Sequence, residues 1–185
     1  LFKFDLPFVT ARAKKLKVRL AWGRDASPLA SRPSRLQIAE KAIQYPKFTA
    51  GGRHIVDTWV LAQYYDVSSR ELENFSLKNV ASHFGVSEKN RVFFEGSGIH
   101  GAYREDQDAF RTHALQSVRE TRALASILSR SYFIQAQIFP YNYQDVVIRG
   151  NATKIDALFL REYLRRGHSI PDLPQARPFE GGYTD

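Results

Sequence analysis

Cysteine is absent from the 185 residues, and its absence excludes a disulfide framework, a thiolate nucleophile and a Cys-ligated zinc site. A chain without thiols fits a reducing compartment. Methionine is missing too, so the chain opens without an initiator on Leu1-Phe2-Lys3-Phe4-Asp5-Leu6-Pro7-Phe8, apolar from its first residue, as a stretch of something larger would. No apolar run approaches the roughly 20 residues that a bilayer helix needs, and no charged-then-apolar leader stands at the amino end. The expectation is a soluble intracellular protein with no membrane partner. There is no Gly-rich phosphate loop, no internal repeat and no low-complexity tract.

What is present is enough for one core. Hydrophobic residues make up 43% and aromatics 13%, which suits a single domain, with room for an appended arm. Lys and Arg number 27 against 19 Asp and Glu, a formal charge of +8, and this surplus favours an anionic polymer as partner. A solvated basic surface gives the same balance.

Along the chain, Lys17 to Trp22 alternates polar and apolar residues, the period of a half-buried strand, and Gly23-Arg24-Asp25 turns it. From Ala26 to Arg35 the composition of Ser, Pro and Arg predicts an exposed loop without regular structure. Gly51-Gly52 punctuates a short strand, Arg53 to Asp57. A helix follows over Thr58 to Tyr65, with Asp57 where its cap belongs. The next helix, Leu77 to Phe84, has Ser76 to cap it and Gly85 to end it. Phe110, Ala114, Val118, Thr121 and Leu128 recur at helical spacing and predict a long amphipathic helix between Asp108 and Leu128. A last helix is expected from Thr153, capped by that hydroxyl with Asp156 answering, to Arg166 before Gly167. Pro171, Pro174 and Pro178 mark a linker.

Without thiols, chemistry falls to acidic groups. Phosphodiester hydrolysis by two divalent ions needs clustered carboxylates holding Mg²⁺ or Mn²⁺ about 4 Å apart, and Asp5 and Asp57 qualify by position. An ordinary turn or cap carboxylate is the competing explanation for each. His113, Ser117 and Glu120 share one face of the long helix. A base and nucleophile pair is one reading, but no orienting third group or oxyanion loop accompanies it, and a partly buried polar face accounts for the same spacing. His54, His83, His100 and His168 show no metal-ligand spacing. Tyr132, Phe133, Phe139, Tyr141 and Tyr143 alternate with polar residues; they suit core packing better than base stacking, because Arg and Lys are sparse there.

Phe4-Asp5-Leu6-Pro7-Phe8, followed by Arg12-Ala13, resembles the second exonuclease motif of family B DNA polymerases, an Asn-x-x-x-Phe/Tyr-Asp run whose Asn would lie just before Leu1. The likeness continues in order. Gly52 to Asp57 resembles the strand that follows in the family. Phe75-Ser76-Leu77-Lys78-Asn79-Val80-Ala81 with Phe84-Gly85-Val86 resembles its next helix. Glu180-Gly181-Gly182-Tyr183 is similar to the link toward the polymerase palm. The resemblance implies an α/β, ribonuclease H-like exonuclease fold, present in part, with a central mixed sheet flanked by helices. It divides the chain into 1–140, the C-terminal part of a 3′→5′ exonuclease domain, and 141–185, a helix and linker leading toward the polymerase domain.

By the same resemblance Asp5 is a catalytic carboxylate and metal ligand, ending a central strand and facing a cleft shared with the long helix. Asp57 is structural. Phe4, Gly181, Gly182 and Tyr183 would touch nucleic acid. The partners would be DNA, as a single-stranded 3′ end or primer-template, and the polymerase domain of the same parent; the cofactors would be two Mg²⁺ or Mn²⁺ ions; the location would be cytoplasmic and nucleoid-associated.

Two departures weigh on that activity. The family's Asp-x-Glu metal motif lies upstream of the second motif, and the third motif, Tyr-x-x-x-Asp, falls here on His113 and Ser117. A neutral hydroxyl is a poor Mg²⁺ ligand beside a carboxylate. The expectation is therefore a proofreading nuclease in the intact parent with little or no activity in this stretch. The alternatives are a degenerate domain that binds DNA as a scaffold, and a basic nucleic-acid-binding domain unrelated to polymerases.

Overall fold

The computed structural model describes residues 1–96 and 98–172. Its first helix, α1 (Asp5–Lys15), leads by a turn at Lys17 into an irregular segment and then a hairpin, β1 (Ala30–Ile38) and β2 (Lys41–Thr49). Seven helices follow: α2 (Thr58–Ser69), α3 (Leu77–His83), α4 (Gly98–Glu105), α5 (Gln107–Leu128), α6 (Arg130–Ile138), α7 (Tyr143–Ile148) and α8 (Asn151–Arg165).

The fold is α/β, but the mixed central sheet expected from the sequence is not among the described residues. Their only sheet is the antiparallel pair β1–β2, in which Ala30 faces Thr49 and Ile38 faces Lys41. The segment expected to be an irregular loop is thus half strand. Its Ser, Arg and Pro residues are exposed from Ala30 to Pro33, at the open end of the hairpin, while Leu36 and Ile38 beside the turn are buried. Pro33 stands opposite Pro46. Proline cannot donate to a ladder, so this pairing fits only where both nitrogens point away from the partner strand, along the outer edges.

Lys17 to Trp22, expected as a strand, joins no ladder: Lys17 turns at φ 54° and the residues after it have no regular structure. Alternation sets side-chain direction, and a strand also needs a neighbour to satisfy its backbone. The Arg53 to Asp57 strand is likewise absent, reduced to one bridge between Ala50 and Arg53. Between them, Gly23 and Gly51 meet around the Asp25–Ser27 turn; a Cβ on Gly23 would lie 2.2 Å from the Ser27 hydroxyl oxygen. Glycine leaves room there for the Ser27 and Asp25 side chains, which a Cβ would displace.

Caps placed the helices better than periodicity placed the strands. Asp57 caps α2, accepting from the Trp59 amide at 3.0 Å. Ser76 caps α3 through the Asn79 amide at 3.3 Å, and Gly85 leaves that helix at φ 64°. For α5 the cap is Asp106, accepting from Ala109 N at 2.9 Å. Thr153 is no cap: α8 starts at Asn151 behind Gly150, placing Thr153 inside the first turn. Gly167 at φ 66° does close it.

Two apolar clusters hold these elements. Phe2, Leu6, Leu36, Ile38, Tyr45, Phe48, Val60, Leu61 and Val147 join α1 and one face of the hairpin to α2 and α7. Ala62, Val80, Ala81 and Leu124 join α2, α3 and α5, and Leu128 packs against both sets. Tyr132 is half-buried against the first cluster, whereas Phe133 is exposed, so the aromatic run divides between core and surface.

Candidate functional site

A groove of about 660 Å³ runs between the start of α1, the start of α2 and the middle of α5, and both Asp5 and Ser117 line it. The expected meeting of these positions across one cleft is therefore present. Its local setting differs: Asp5 does not end a strand but opens α1, with a side chain 61% exposed. A carboxylate in a first helical turn is favoured by the amide dipoles there, which draws this residue type to the position without a metal.

Asp57 reaches the same groove but is committed elsewhere. Only 4% exposed, it caps α2 with one oxygen and accepts from the Phe2 amide with the other at 3.0 Å. The Leu1 nitrogen lies between the two carboxylates, 3.1 Å from Asp57 and 3.3 Å from Asp5. The assignment of Asp57 as structural agrees with this geometry.

On the opposite wall the Ser117 hydroxyl is already satisfied. It donates to the His113 carbonyl at 3.0 Å and accepts from Arg91 Nη2 at 2.7 Å. Arg91 arrives from the segment between α3 and α4, and its Nε donates to Glu120, 2.9 Å and 3.1 Å from the two carboxylate oxygens. Nη1 donates to Val92 O at 2.7 Å. Glu120 is 2% exposed, so this is a buried ion pair with hydrogen bonds filling most of the guanidinium's valence. Gln116 adds to the join by accepting from the Val92 amide at 2.9 Å.

His113, expected to share in catalysis, does not line the groove. Its Nδ1 lies 2.8 Å from Val92 O, and its ring packs edge-on against Phe94 at 5.3 Å. The residue belongs to the seam that binds segment 91–94 to α5. Phe4 is 72% exposed and stacks beside Phe8 on α1, free to meet a ligand. Gly181, Gly182 and Tyr183 lie outside the described residues, as does most of the Pro-rich linker.

Three features went unread in the sequence. Arg122 lines the groove beside Ser117 and supplies a cation there. Arg91 and Glu120 meet across 29 positions, a pairing that no local spacing announces. Lys47 and Asp145 form a second partly buried ion pair, on the wall of a polar cleft with Arg53, His54 and Gln144. Burial pushes the Asp145 carboxyl up, but the hydrogen bond and charge of Lys47 outweigh it and hold it below the ordinary value.

Among the described residues, no three His, Asp or Glu side chains gather as a metal-holding group. None of the helices there is long and apolar enough to cross a membrane.

No family model matches the chain. It is 26% identical, over 98% of its length, to a DNA polymerase of Archaeoglobus fulgidus, of which it spans 21%. Its fold matches the family B DNA polymerase of the hyperthermophilic archaeon Pyrobaculum calidifontis with a TM-score of 0.69 and 21% identity, covering 96% of this chain and 22% of that one. The chain thus spans about a fifth of the length of each. The resemblance to family B DNA polymerases read from the motifs is borne out over nearly the whole chain.

Proposed function

We propose that this chain is the rear part of a 3′→5′ exonuclease-type domain, ribonuclease H-like in fold, of a family B-like DNA polymerase, and that its groove holds an unpaired 3′ DNA end without cutting it. Residues 1–140 would form that domain and 141–185 the connection toward the polymerase module. The observation that carries this is the shared groove: Asp5 and Ser117, far apart in sequence, line one cleft in the arrangement that the motif order implies. The +8 charge and Arg122 on the groove wall suit a phosphate backbone.

Two divalent ions do not fit the donors present. Hard cations such as Mg²⁺ take oxygen ligands with carboxylates among them, and here Asp57 is spent on backbone amides and Ser117 is bonded to a cation. Asp5 is the more exposed of the two carboxylates, with one oxygen 3.3 Å from the Leu1 nitrogen. A neutral, occupied hydroxyl at position 117 supports the non-cutting role over an active nuclease.

The test is a titration of single-stranded DNA into the chain across a salt series, with a nuclease assay in Mg²⁺ and in Mn²⁺. Salt-sensitive binding without turnover is expected; turnover abolished by Asp5→Ala would overturn the reading. The blander reading, a basic domain unrelated to this chemistry, predicts binding indifferent to charge reversal at Arg122.

A further inference from the structure

We propose that Arg91 acts as a built-in cation beneath the groove, and that it, as much as the loss of a carboxylate at position 117, keeps a divalent ion from settling there. This rests on the reading of the groove as a nuclease-type cleft and goes beyond it, because it names a second residue that has to change before metal can bind.

The argument starts from occupancy. The Arg91 side chain is 7% exposed, and its Nη2 edge is turned to Ser117 while Nε and Nη1 are taken by Glu120 and Val92. A guanidinium does not lose its proton in a protein, so the charge is permanent. A divalent ion sits about 2.1 Å from its ligand oxygen in the magnesium case. An ion bound to a side chain at 117 would therefore press against a fixed like charge bonded to the same side chain. The 2.7 Å hydrogen bond from Arg91 also takes one of the hydroxyl's two acceptor lone pairs.

A consequence follows for reversion. If Ser117 is replaced by aspartate, its carboxylate meets Nη2 first, and carboxylate with guanidinium makes a charge-assisted pair. Glu120 does not prevent this, since it engages the Nε side and leaves the Nη2 edge to position 117. Restoring the acid alone would give an ion pair in place of a metal ligand. Freed from Arg91, the same carboxylate would face Asp5 across the groove, the pairing that a cation bridges.

The experiment is a Mn²⁺ titration, read by the loss of free-ion electron paramagnetic resonance signal, on the chain, on Ser117→Asp, and on Ser117→Asp combined with Arg91→Gln and Glu120→Gln. Arg91 and Glu120 are changed together because removing one strands the other as a buried charge. The chain and Ser117→Asp are expected to bind Mn²⁺ equally within about twofold, and the triple variant at least about tenfold more tightly, a difference well above the scatter of additive sites. A tenfold gain in Ser117→Asp alone, or no gain in a triple variant that melts cooperatively, would overturn the proposal. Should the triple variant not fold, Arg91→Met with Glu120→Leu in the Ser117→Asp background replaces it under the same two criteria. Single-stranded DNA binding by the unsubstituted chain is measured alongside: its absence would count against the DNA-holding role and leave the Mn²⁺ comparison standing.

Discussion

Asp145 at the start of α7 closes on Lys47 of β2, 98 positions earlier in the chain, and Lys47 is only 6% exposed. The pair ties the hairpin to the helices with help from Gln144, which donates to Phe48 O at 2.7 Å and accepts from the Ile55 amide at 3.0 Å. Asp145→Ala should be strongly destabilising, by about 3 kcal/mol, because it strands a buried ammonium. Lys47→Met with Asp145→Leu should recover most of that loss. Urea unfolding of the three proteins checks both.

The same pair sets a pH dependence. The folded Asp145 carboxyl titrates below its ordinary value, so its contribution is present above about pH 4 and is lost as pH falls through the depressed folded value. The stability difference between the chain and Asp145→Asn should therefore shrink on acidification from pH 5 toward about pH 2. A difference that stayed flat over that range would show that the pair does not govern it.

At the alkaline end Tyr64 offers the opposite sign. Burial, with smaller contributions from Tyr132 and Tyr45, pushes its phenol up to about 12. A raised folded value means stability that is whole below about pH 10 and declines as pH rises toward the folded value. Ultraviolet titration at 295 nm should show a tyrosine that ionises late, and Tyr64→Phe should remove it.

Local helix signals give a third kind of prediction. Ser76→Ala removes the cap of α3 and should cost about 1 kcal/mol. Gly85→Ala, at φ 64°, should cost about 1 kcal/mol through backbone strain although nothing lies within 4 Å of the added carbon. Thermal melts that left both variants unchanged would remove α3 from the cooperative unit.

For the groove, Arg122→Ala should weaken single-stranded DNA binding several-fold and lower the salt slope by about 0.7, the share of one phosphate contact. Arg19→Ala, on the segment between α1 and β1 and outside the groove lining, is the comparison. Equal losses in the two would indicate diffuse charge in place of a path.

How much of this was legible depends on the range of the chemistry involved. Asp57, Ser76, Gly85 and Gly167 act within a few residues, so composition alone placed those helix ends. The hairpin was hidden because Ser31, Pro33 and Arg35 line the solvent face of β1, and such residues also make loops. Alternation from Lys17 to Trp22 misled for the converse reason, having direction without a ladder. At the site, Asp5 and Ser117 were found through motif order. Arg91 was not, since it reaches His113, Ser117 and Glu120, which share a face of α5, only when the segment before α4 folds onto that helix.

The facing imino acids Pro33 and Pro46 limit what the hairpin can become. With no amide hydrogen at the centre of either outer margin, a passing β-strand finds its would-be ladder interrupted halfway. The hairpin can thus lay one face on the helices and keep its margins bare without inviting its copies to stack upon it.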